Sequence, residues 1–163
     1  MTTLYLIRHA HAADAANDFT RSLSAKGRKQ VEKLARFLER CEAPAPAEIW
    51  HSPLVRARET ANLLADGLKW GGPRIVFPGL EPEADPGAVA LRIEATPAPV
   101  AIVGHEPHLS ALGSLLVAGK SWPPLFLMQK CSVLALERSG EEPEGRWCVH
   151  WHICPLLTGA PLD

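Results

Sequence analysis

No run of this sequence approaches the eighteen or so apolar residues that a membrane span needs. The opening MTTLYLIRHAHAAD has only a short apolar core, interrupted by Arg8 and Asp14, which does not suit a signal peptide. Neither sign of charge dominates: 17 Lys and Arg stand against 18 Asp and Glu, a net charge of −1, so no long-range field favours nucleic acid or an anionic membrane as partner. Cysteine is sparse. Cys41, Cys131, Cys148 and Cys154 are scattered through a chain without an export signal, which predicts a cytoplasmic protein with reduced, buried thiols. Repeats, low-complexity tracts and credible domain linkers are absent too. What is there is ordinary globular composition, 47% hydrophobic and 21% charged over 163 residues, which predicts a single domain spanning 1–163.

Two short runs, TLYLI at Thr3 to Ile7 and VAIV at Val100 to Val103, are apolar on both faces, as strands of a covered parallel sheet are. AEIW at Ala47 to Trp50 and Arg74 to Phe77 add two more strands. Helical periodicity lies between them. One helix opens at Ser24, buries Val31, Leu34, Ala35 and Leu38, and ends near Cys41. A second follows Ser52-Pro53, read as an N-cap with proline at the first helical position, and buries Leu54, Ala57, Ala61 and Leu64. Asp85-Pro86 caps a third with Val89 and Ile93 inward, and Glu106-Pro107 begins a fourth with Leu109, Leu112 and Leu116 inward. CSVLALE from Cys131 and RWCVHWHI from Arg146, joined by SGEEPEG, read as a hairpin. The sum is an α/β fold, a three-layer α/β/α sandwich whose mostly parallel sheet ends in an antiparallel C-terminal edge.

In such sheets ligands collect at the carboxyl ends of the strands, so polar residues there weigh more than elsewhere. Arg8-His9 follows the first strand, Ser52-Pro53 with Arg56 the second, Glu81 to Asp85 the third, and Gly104-His105 the fourth. Two guanidiniums and two imidazoles would converge on one crevice. That mixture suits a phosphoryl group: arginine forks pair with its oxygens, and a neutral imidazole offers a lone pair as nucleophile. Carboxylates would dominate a magnesium site instead.

LIRHA at Leu6 to Ala10, SPLVRARET at Ser52 to Thr60 and VGHEP at Val103 to Pro107 stand in that order, and with them the chain resembles the histidine phosphatase superfamily, with its phosphoglycerate mutase-like fold. DFTRSLSAKG at Asp18 to Gly27, together with the short length, is most similar to the SixA-type phosphohistidine phosphatases. The resemblance implies a phosphatase that forms a phosphohistidine on His9. Arg8 and Arg56 would hold the phosphate, His105 would stabilise the transition state, and Arg21 would be a further substrate contact. It implies no cofactor and no metal, and a phosphorylated protein as partner, for instance a histidine-phosphotransfer domain. A small-molecule phosphomonoesterase of the same superfamily and a phospho-ligand binding module without turnover are the alternatives.

Two positions depart from the family pattern. Ala10 stands where the signature has glycine, and no carboxylate falls unambiguously at the place of a general acid, for which Glu81, Glu83 and Asp85 are the candidates. The stretch from Glu81 to Gly104 has room for one helix and no cap insertion, which predicts an open pocket. His9 and His11 could suggest a metal pair, yet no carboxylate cluster accompanies them. Cys148, His150, His152 and Cys154 alternate along one run, but four such residues on a straight strand span roughly 20 Å, too far for one tetrahedral ion. Sheet packing is the reading there, with Trp147 and Trp151 together on the opposite face.

Overall fold

A computed structural model describes residues 2–140 and 146–161. One six-stranded sheet runs in the order β3-β2-β4-β1-β5-β6. Its strands are β1 Thr2–Arg8, β2 Glu48–His51, β3 Arg74–Val76, β4 Val100–Gly104, β5 Val133–Ser139 and β6 Arg146–Ile153. The first four are mutually parallel, and β5 and β6 run antiparallel beside β1. This is the α/β architecture, with its antiparallel edge, that the strand and helix pattern announces.

The two-residue period of the central strands divides the core. Tyr5 and Ile7 of β1, with Ala101 and Val103 of β4, face α1 (Ala25–Arg40) and α2 (Val55–Gly67). Leu4, Leu6, Val100 and Ile102 face α3 (Pro86–Glu94) and α4 (His108–Ala118). The short α5 (Pro155–Thr158) lies against α1. Helix stripes fill both layers: Val31, Leu34, Ala35 and Leu38 from α1 on one side, Val89, Ile93, Leu109 and Leu112 from α3 and α4 on the other. Caps fix where the helices begin. Ser24 Oγ accepts the Gly27 N–H at the start of α1, and Asp85 Oδ1 accepts the Gly87 N–H at the start of α3, with Pro86 at the first position.

The structure departs from the sequence pattern at several points. Ser52 does not cap α2, which begins at Val55 with Leu54 before it; the Ser52 hydroxyl lies 2.8 Å from His105 Nε2, a tertiary partner that local sequence does not reveal. Only Cys131 is buried among the cysteines. Cys41 sits exposed at the end of α1, and Cys148 points outward from the edge strand β6. Trp147 and Trp151 lie on opposite faces of the sheet, Trp147 in the α3/α4 layer and Trp151 against Tyr5 in the α1/α2 layer. A bulge explains it: Ala135 pairs with Trp151 but Leu136 with Val149, so His150 is an extra residue that reverses the alternation. The same reversal breaks the single-face row of Cys148, His150, His152 and Cys154. Most of the SGEEPEG turn lies outside the described residues.

Between β3 and β4 the chain makes only α3, so this stretch carries no cap insertion.

Candidate active site

Register brings the polar residues together. Ile7 of β1 and His51 of β2 both pair with Val103 of the intervening β4, so the three strands end at one level. The chain then continues the ladder past the strands. His9 N–H donates to Gly104 O at 2.9 Å, and Ser52 N–H donates to Val103 O at 3.0 Å. His9, Ser52 and His105 therefore emerge from adjacent loops that are bonded to each other. The His9 and His105 rings stand 5.0 Å apart, centroid to centroid.

The loop carrying His9 is held from three sides. Cys131, a non-glycine residue at φ +61°, directs its N–H at the carbonyls of Arg8 and His9, each at 3.1 Å. Thr60 Oγ1 of α2 accepts the Ala10 N–H at 3.1 Å and donates to Arg56 O. His11 donates its N–H to Gln30 Oε1, while its carbonyl accepts the Ser24 N–H at the start of α1. Ala10 is fully buried in this packing. His11 Nδ1 is 2.7 Å from Ser24 Oγ, so its ring belongs to the helix start.

Gly27 makes this docking possible, since a Cβ there would lie 2.0 Å from the His11 carbonyl oxygen. In an ordinary helix alanine is favoured over glycine by about 1 kcal/mol, but here backbone stands in the way. Gly27→Ala is expected to destabilise the fold by about 1–3 kcal/mol, lowering Tm by several degrees, and to depress activity through the displaced loop. A thermal melt with equal or higher Tm would show that the first turn of α1 yields freely.

The histidine environment decides its chemistry. His9 Nδ1 lies 2.7 Å from Ala10 O, and a carbonyl only accepts, so Nδ1 carries the hydrogen and Nε2 keeps its lone pair. Burial, opposed by that hydrogen bond and reinforced by His105, Arg56 and Arg8, pushes the His9 pKa down to about 3. Burial does the same to His105, also to about 3, with Arg56 adding to it and Asp18 opposing it. Both rings are neutral near pH 7. His105 Nδ1 is buried and has no hydrogen-bond partner among the described residues.

Backbone carbonyls anchor both arginines. Arg8 Nη1 donates to Met128 O at 2.8 Å, from the loop between α4 and β5. Arg56 is 5% exposed and donates Nη1 to Asp18 O at 2.8 Å and Nη2 to Asp18 Oδ2 at 3.1 Å. Asp18 opens a short 3-10 turn, Asp18–Thr20, and also accepts from Arg21 Nη1 at 3.2 Å. Burial works against its charge, but the Arg21 hydrogen bond and the Arg56 guanidinium outweigh this and hold Asp18 below the usual carboxylate range. Arg21 thus reaches the cluster through Asp18, its Nε meanwhile donating to Ala13 O.

The three carboxylates after β3 are placed differently. Asp85 caps α3, Glu81 Oε2 accepts the Gly79 N–H at 2.7 Å, and Glu83 is exposed. Glu81 and Asp85 are within electrostatic range of His108, which is in turn within range of His105. Glu106 and His108 are residues that the motif-based reading passed over. Glu106 accepts from Ser110 Oγ and feels the charge of Arg8. Their signal was present, since both flank Pro107 directly after His105. Met128 had none, because a carbonyl contact leaves no trace in residue type.

A neutral imidazole with a free lone pair, two guanidiniums and a second neutral imidazole are the groups gathered at the strand ends. Comparison with known proteins places the chain in a family. Residues 4–89 match the sequence model of the histidine phosphatase superfamily, branch 1. An uncharacterized protein of Picosynechococcus is 36% identical over 144 residues, 84% of this chain and 85% of its own length. Phosphohistidine phosphatase SixA of Escherichia coli strain K12 is 29% identical over 142 residues, 84% of this chain and 87% of its own length. The solved structure of the protein histidine phosphatase SixA complexed with tungstate superposes with a TM-score of 0.83 at 25% identity, covering 96% of this chain and 99% of that one. The likeness that LIRHA, SPLVRARET and VGHEP suggested holds over most of the chain, and the chain belongs to the histidine phosphatase superfamily, as a phosphatase of SixA-like fold.

Proposed function

We propose that the protein hydrolyses phosphohistidine on another protein, such as a histidine-phosphotransfer domain, through a phosphoryl group carried transiently on His9. The observation that carries this reading is the fixed tautomer of His9: Nδ1–H is committed to Ala10 O, and the Nε2 lone pair is left beside Arg8, Arg56 and His105. Arg8 and Arg56 hold the phosphoryl oxygens, with Arg21 supporting the clamp through Asp18. Nε2 attacks phosphorus in line with the departing group, and water then releases phosphate from His9. His105 stabilises the equatorial charge in both steps. The arginines supply the positive charge and the neutral His105 ring adds hydrogen bonding, so the mechanism calls on no metal or cofactor.

The lack of a cap insertion between β3 and β4 supports a macromolecular substrate. An uncapped site encloses a small metabolite poorly but admits a side chain projecting from a partner. The leaving group suits it as well, since imidazole departs as a neutral base once protonated, at a pKa of about 6.5. In side-by-side assays, kcat/KM for a phosphohistidine protein is expected to exceed that for phosphoserine and sugar phosphates. Faster turnover of a sugar phosphate would replace this reading with a metabolite phosphatase.

A further inference from the structure

The family motifs leave the proton donor unassigned, and two crevice carboxylates have environments that separate their roles. Asp18 receives hydrogen bonds from Arg21 and Arg56 and is held as a carboxylate. Such a group orients arginines but has no proton to give. Glu106 is its opposite. It follows His105 directly at the end of β4, and its Oε2 accepts from the Ser110 hydroxyl one turn along α4. Its Oε1 is buried with no hydrogen-bond partner among the described residues. An ionised oxygen in that position lacks the hydrogen bonds that would compensate its desolvation, whereas a protonated carboxyl carries a donor awaiting an acceptor. Burial accordingly raises Glu106 above the usual carboxyl range, against the pull of Ser110 and Arg8. Carboxylates pushed apart in this way mark acid and spectator in other hydrolytic sites.

Position agrees with chemistry. In-line transfer puts the leaving group on the side of phosphorus away from His9 Nε2, so the donor belongs beside the phosphate clamp and not beside the nucleophile. Glu106 adjoins His105 in the chain and feels the charge of Arg8, a member of that clamp. We propose that Glu106 is the general acid and base of the reaction, a role that rests on phosphoryl transfer to His9. In the first step the Nε2 lone pair forms the N–P bond. The bond from phosphorus to the leaving atom breaks with its electron pair on that atom, which takes the Glu106 proton. In the second step the Glu106 carboxylate takes a proton from water as the water oxygen bonds to phosphorus. The N–P pair returns to His9, and phosphate leaves. One water is consumed and Glu106 ends protonated, as it began.

A proton donor matters most when the leaving group is poor, which gives a signature that a structural role lacks. The test compares kcat/KM for phenyl phosphate and for electron-poor nitrophenyl phosphate in wild type, Glu106→Gln and Glu81→Gln. Glu106→Gln is expected to lose about 10²-fold or more on phenyl phosphate and less than tenfold on nitrophenyl phosphate. Equal losses on both substrates, or the selective loss appearing in Glu81→Gln instead, would overturn the assignment. If the glutamine variant does not fold, Glu106→Asp decides, since withdrawing the carboxyl by one methylene is expected to cost phenyl phosphate selectively, and an equal loss overturns the role. Wild type that never phosphorylates His9 would refute the underlying reading, an outcome distinct from either of these.

Discussion

His9→Ala is expected to abolish turnover, lowering kcat by roughly 10⁴-fold or more, because it removes the Nε2 lone pair that the fixed Nδ1–H tautomer leaves free beside the arginines. The fold should survive. His9 lies past the end of β1, and its removal deletes one hydrogen bond, to Ala10 O, and some buried area, together worth about 1–2 kcal/mol. Circular dichroism and steady-state kinetics on the same preparation check both halves, and activity within tenfold of wild type would remove His9 from the role. The depressed pKa adds a pH signature. With its pKa near 3, His9 stays neutral far below the ordinary imidazole value, so kcat/KM should show no acid limb near pH 6.5 arising from the nucleophile. Stability behaves differently. The unfolded chain binds protons on these imidazoles below about pH 6.5 and the folded chain does not, so their contribution is complete above that pH. It is lost as pH falls toward the folded value of about 3 shared by His9 and His105.

Arg56→Ala is expected to lower kcat/KM by about 10²- to 10³-fold and to weaken binding of tungstate or phosphate in parallel, since the clamp serves both the bound anion and the transition state. Its buried fork also anchors Asp18 through backbone and carboxylate, so the variant should loosen the Asp18–Thr20 turn and with it Arg21. Lysine should not rescue the loss, because one ammonium cannot address the Asp18 carbonyl, the Asp18 carboxylate and a phosphoryl oxygen together. Calorimetric anion titration alongside kinetics separates the possibilities. A variant that binds tungstate as wild type does, and differs only in Tm, would move Arg56 to a structural role.

Much of the site was legible because its key groups follow apolar strands immediately. TLYLI before Arg8-His9 and VAIV before Gly104-His105 identify both histidines as strand-end residues, and parallel register then brings them together. The helix stripes and the Ser24 and Asp85 caps were readable for the same reason, being set by local periodicity and local hydrogen bonds. What could not be read depends on contacts distant in sequence. Ser52 looks like a cap until His105, 53 residues away, engages its hydroxyl. Trp147 and Trp151 share a face only if β6 is regular, and the insertion of His150 opposite β5 is a property of the pair of strands, not of either one. Glu106 stood in plain view within VGHEP, yet its importance comes from burial and from Arg8, neither of which a motif records.

The central claim is that a phosphoryl group resides on His9 during turnover. Brief reaction with a phosphohistidine protein, quenched in alkali to preserve the phosphoramidate and followed by peptide mass spectrometry, tests it most directly. One phosphoryl group on the peptide containing His9, present during turnover, absent from His9→Ala and discharged on a chase with unlabelled substrate, is the result predicted. Phosphate release at the full rate with no phosphoryl group on that peptide, or with the label on another residue, would contradict the account.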